Sequence, residues 1–160
     1  MTHADLVEVA RKWLSARGCP VVVTEMAHGQ GEEADAIGWH HGYFTMLIEC
    51  KASRSDFLAE VRKHRALGMG WKRYYMAPAG MIDASEIPTE WGLLEVKPNG
   101  RVRKTREALE RLGRDWHAEM SVLVSACRRL GVASTGGVTV RLYTTPSKNR
   151  ATVTCERGLG

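Results

Sequence analysis

The sequence predicts an α/β fold, with helices flanking a central sheet, and three features carry that expectation. Leu6, Val9, Ala10, Trp13 and Leu14 recur at helical spacing, and a β-branched stretch at 20–25 follows them closely. An apolar run at 43–50 is long enough for a buried strand, and a shorter apolar piece at 36–39 precedes it across a His40-His41-Gly42 turn. A helical pattern at 53–66 then alternates with two further apolar strands, at 72–77 and 91–96.

A chain of 160 residues is most economically one domain, here a core at about 3–104 with a helical and hairpin extension at about 105–160. A hydrophobic content of 44% with 26% charged residues falls in the globular range and predicts a proper core. No apolar run approaches the ~20 residues of a membrane span, and residues 1–5 lack the basic and apolar regions of a signal peptide. A cytoplasmic protein without a membrane partner is expected. Cys19, Cys50, Cys127 and Cys155 have no zinc-finger or Cys-x-x-Cys spacing, so free thiols are expected. The net charge of +5 favours a polyanionic partner through phosphate attraction.

Thr2 and Asp5 have capping-box spacing, which starts a helix near residue 3; Gly18 ends it after Ala16. The strand at 20–25 suits an edge or second position in the sheet. Residues 27–31 form a glycine-rich loop that lacks the lysine and the following helix of a nucleotide P-loop. Ser53 and Asp56 again have capping spacing, and Phe57, Leu58 and Val61 are expected to face the sheet. Tyr74 and Tyr75 point to opposite faces of their strand, which Pro78 ends. Pro98-Asn99-Gly100 turns the strand at 91–96 into a basic edge at 101–104. Residues 105–130 read as helix broken at Gly113, with Trp116, Met120, Leu123, Val124 and Cys127 as an apolar stripe for core packing or a dimer seam. Short strands at 138–143 and 151–155 follow a linker.

The chemistry concentrates in the hairpin. Asp35 stands on its first arm; after thirteen intervening residues Glu49-Cys50-Lys51 closes the second. Strand side chains alternate, so Glu49 and Lys51 project from one face and Cys50 from the other. Two carboxylates and an amine suit Mg²⁺ or Mn²⁺ bound by hard oxygens, with the lysine orienting a water and stabilising charge on a phosphate under attack.

Written as Asp-x13-Glu-x-Lys, the pattern resembles the PD-(D/E)xK nuclease signature, with Ala34 where that signature has its variable proline. The continuation Ser53-Arg54-Ser55-Asp56-Phe57, its basic helix, and the strands around Tyr74 and Leu93 resemble the MmcB-like branch of that superfamily, over roughly residues 6–96. The resemblance implies a restriction endonuclease-like core with a mixed sheet. It implies catalytic Asp35, Glu49 and Lys51, and a metal held by Asp35, Glu49 and the Cys50 carbonyl. Glu8 matches the family's helix glutamate, although it lies away from the apolar stripe. Arg54, Arg62, Lys63 and Lys72 are candidates for phosphate contacts. The activity implied is Mg²⁺-dependent endonucleolytic hydrolysis of DNA in repair, recombination or phage genome processing. Its rivals are a silent nucleic-acid-binding module of the same fold, and a nuclease for RNA or for branched junctions cut by a homodimer. An interaction protein built on the helix at 115–130 is a third.

Overall fold

A computed structural model describes residues 1–25, 34–61 and 68–129, and the backbone of two strands at 138–143 and 152–157. Helix α1 (His3–Ala16) opens on the expected box: Thr2 and Asp5 exchange backbone-to-side-chain hydrogen bonds of 2.8 and 3.2 Å. Its inward row is Leu6, Val7, Ala10 and Leu14, all buried. Strands β1 (Val21–Thr24), β2 (Ala36–Trp39) and β3 (Thr45–Cys50) follow, then α2 (Arg54–Val61), β4 (Lys72–Pro78), a 3₁₀ turn (Ala84–Glu86), β5 (Trp91–Val96), β6 (Val102–Arg106) and α3 (Trp116–Arg129). Strands β7 (Val138–Tyr143) and β8 (Thr152–Arg157) form a separate hairpin.

The main sheet is mixed and runs in sequence order from β1 to β6. The pairs β1–β2, β2–β3 and β5–β6 are antiparallel, whereas β3–β4 and β4–β5 are parallel. A parallel pair needs a crossover, and α2 lies in the one between β3 and β4. One sheet face carries Met46, Ile48, Cys50, Tyr74 and Met76 against α1. The other carries Leu47, Tyr75, Ala77 and Leu93 against Phe57 of α2 and Val122 and Ala126 of α3. Gly92 allows Tyr74 to lie flat across β5, because a Cβ there would stand 2.3 Å from the tyrosine ring.

Several expectations are corrected. Leu58 is exposed rather than turned to the sheet. Residues 105–106 end strand β6, and the helix begins only at Trp116. The stripe itself is reversed: Trp116, Met120, Val124 and Cys127 face outward, while Glu119, Val122 and Ala126 face the core. Glu119 decides that orientation. It is buried and accepts hydrogen bonds from Thr45 Oγ1 (2.9 Å) and the Gly70 amide (2.8 Å), with Arg114 Nε at 3.3 Å. Turning it outward would strip those buried donors of their acceptor, which costs more than exposing a few apolar groups. Val122 and Ala126 of α3 thus pack into the same cluster as Leu47, Phe57 and Leu93. Cys19, Cys50 and Cys127 are free thiols, and Cys155 lies outside the described side chains. Among the described residues no helix is long and apolar enough to cross a membrane.

Candidate active site

The hairpin register determines the site. Ala36 pairs with Ile48, so Asp35 stands opposite Glu49 one step further along the antiparallel ladder, on the same sheet face. Asp35 reaches across to accept the Cys50 amide proton at 2.7 Å, which fixes its carboxylate at the end of β3. Lys51, just past the strand, hydrogen-bonds from its own amide to the Met76 carbonyl (2.9 Å) and turns its Nζ back to Glu49 Oε2 at 3.3 Å. Glu49 and Lys51 are 7% and 5% exposed, so this pair lies largely out of water.

Burial pushes the Asp35 carboxyl above its ordinary value, and the Cys50 amide, His3 and Lys51 only partly offset that. For Lys51 burial disfavours the charge, but Glu49, Asp35, Asp56 and Glu60 outweigh it and hold the ammonium protonated. Four carboxylates thus act on one lysine. Asp56 and Glu60 stand four residues apart on α2, one turn of helix, and so share a face. His3 completes the surroundings, with its Nε2 3.3 Å from Asp35 Oδ1 and 3.9 Å from Glu25 Oε1.

His3, Asp56 and Glu60 were missed in the sequence, and each carried a readable signal. His3, Val7, Ala10 and Leu14 share one helical face. Asp56 and Glu60 have i, i+4 spacing immediately after the Glu-x-Lys strand.

The other expected positions fall elsewhere. Glu8 is held on its own helix by Arg11, at 2.8 and 2.7 Å, and by Lys12 at 3.3 Å. It is His3, further toward the helix start, that approaches Asp35. Arg54 forms a two-pronged pair with Glu86, with one bond of 2.7 Å, and lies over the Phe57 ring. Lys72 lies away from the Asp35–Glu49 end of the sheet. It begins β4 on the same face as Tyr74 and Met76, opposite to Glu49, and pairs with Glu107 (3.4 Å) and Glu110 (3.8 Å). Arg62 and Lys63 lie outside the described residues.

No family model and no curated protein matches the chain. It is similar to the solved structure of SPO1766, a protein of unknown function from Silicibacter pomeroyi, with a TM-score of 0.62 and 23% identity. The match covers 81% of this chain and 89% of that one. The likeness is one of fold.

Among the described residues no group of three or more His, Cys, Asp and Glu side chains is gathered to hold an ion. Mg²⁺ does not require one, since it keeps several waters and binds through one or two carboxylates with substrate phosphates. Paired oxygen donors at Asp35 and Glu49, in surroundings where acids outnumber the lysine, fit such a cation chemically.

Proposed function

We propose that this chain is a metal-dependent DNA endonuclease of the PD-(D/E)xK type, serving DNA repair, recombination or phage genome processing. The observation that carries the proposal is the buried Glu49–Lys51 pair at the end of β3, with the part-buried Asp35 carboxylate anchored beside it on the Cys50 amide. A purely structural ion pair needs one partner of each sign; here Glu49 already pairs with Lys51, and Asp35 remains a part-buried acid beside them. Asp35 and Glu49, with the Cys50 carbonyl, would hold Mg²⁺ or Mn²⁺. Such a cation lowers the pKa of water and neutralises charge on a phosphodiester. Lys51 is charged and held in place by Glu49, so it can orient a water or steady the developing charge on phosphate. Asp35 is itself oriented by the Cys50 amide, which fixes one oxygen and turns the other toward His3.

The test is cleavage of labelled single-stranded, duplex and four-way-junction DNA, and of RNA, with Mg²⁺ or Mn²⁺. Wild type is expected to cut DNA only with metal, and Asp35→Ala and Glu49→Ala to lower the rate by at least about 10³-fold. If wild type binds DNA and cuts none of these forms in either metal, a binding module of the same fold replaces the enzyme.

A further inference from the structure

On the face of the sheet opposite Glu49, between α1 and the starts of β3 and β4, lies a cavity of about 190 Å³. Its walls are aromatic. Trp13 and Tyr74 meet edge-to-face at 5.6 Å on one side, and Phe44 stacks on His40 at 4.2 Å on another. Its rim is cationic: Arg17, Lys72 and Lys104 surround a single carboxylate, Glu107. The Arg17 guanidinium lies 5.0 Å above the Trp13 ring, and Lys72, Lys104 and the Tyr74 hydroxyl all turn to Glu107. Burial works against the Glu107 charge, yet the bonds from Lys104 and Tyr74 overcome it and hold the carboxyl down at about 2.

We propose that this cavity binds an unpaired nucleotide, its base against the aromatic walls and its phosphate at the Arg17–Lys72–Lys104 rim. Every base offers a π-face, so aromatic walls take it with little regard to sequence, and a neighbouring phosphate is drawn to the cations. The volume is below the ~300–1,000 Å³ of drug-sized pockets, which suits one ring system rather than a stacked pair. A base paired within a duplex has no free face to enter it. Glu107 occupies the rim as the internal anion that a phosphate replaces. The ligand can be a free mononucleotide or one residue of a single strand, and it is bound whether or not the chain cuts DNA.

The experiment is fluorescence anisotropy with a labelled oligothymidylate in EDTA, so that metal-dependent cleavage does not enter, with thymidine monophosphate and duplex DNA as competitors. Arg17→Glu and Lys104→Glu change exposed positions. Each is expected to weaken binding about ten-fold, and Phe44→Ala by a similar factor through lost stacking. Glu107→Gln frees the cations and is expected to tighten binding severalfold, a direction that a merely structural role would not produce. Competition by the monophosphate assigns the site to free nucleotides as well, and failure of that competition restricts it to single strands. Binding unmoved by all four substitutions, duplex competing as well as single strand, or no binding of oligonucleotide or monophosphate overturns the proposal.

Discussion

Asp35 holds the largest share of the account at the scale of single residues. Its carboxyl is raised by burial, so the folded chain takes up its proton more readily than the unfolded chain does. The associated stability is therefore present below the ordinary carboxylate value and is lost as pH rises through the higher folded value. At neutral pH an ionised Asp35 is a liability that a cation, if bound there as proposed, would relieve. Asp35→Asn keeps an oxygen for the Cys50 amide, and without metal it is expected to melt a few degrees above wild type, on the order of 1 kcal/mol. Mg²⁺ is expected to raise the melting temperature of wild type and not of the variant, by mass action on the native state. Scanning fluorimetry with and without Mg²⁺ reads both; an equal metal response in the two proteins would contradict the metal role of Asp35. The alternation and spacing of Asp35, Glu49 and Lys51 were legible in the sequence because strand geometry is local. For His3 only the helical face shared with Val7, Ala10 and Leu14 was legible, since its approach to Asp35 depends on how α1 sits on the sheet.

Helix α3 shows where reading by elements failed. Its apolar residues cover more than one face, and the larger ones, Trp116, Met120 and Val124, suggested the inward side. Small Ala126, Val122 and buried Glu119 take it instead, because Thr45, Gly70 and Arg114 present donors that the carboxylate satisfies. A buried polar anchor outweighs a hydrophobic count, and its donors lie 49 and 74 residues away in sequence for Gly70 and Thr45. Glu119→Ala is expected to cost about 2–4 kcal/mol in urea unfolding, since it orphans buried donors. Trp116→Ser, on the exposed side, is expected to stay within about 0.5 kcal/mol of wild type. Equal costs at the two positions would mean that the helix is turned the other way in solution.

For the whole molecule, the succession of helices and strands along the chain and the mixed sheet were the most legible features. The hairpin followed from the turn at His40, and the crossover from the helix after Lys51. The turn itself is longer than expected: Tyr43, 97% exposed at a φ of 63°, sits at its tip before the chain enters β3. Charge is divided unevenly. The chain carries +5 overall, yet acids crowd the Asp35–Glu49 end of the sheet while Arg17, Lys72 and Lys104 line the opposite face. DNA binding is therefore expected to depend on released counterions, with affinity falling at least about ten-fold from 50 to 200 mM salt. A filter-binding titration that shows no salt dependence would exclude a phosphate-led interface.

Asp35, Glu49 and Lys51 are proposed to cut phosphodiester bonds together with a metal. The most direct measurement is single-turnover cleavage of the preferred DNA by wild type and by Lys51→Ala, with DNA binding measured on the same preparations. Lys51→Ala is expected to bind within about three-fold of wild type and to cut at least about 10³-fold more slowly in Mg²⁺. Equal cutting by the two proteins would remove Lys51 from the chemistry and overturn the proposed three-residue site.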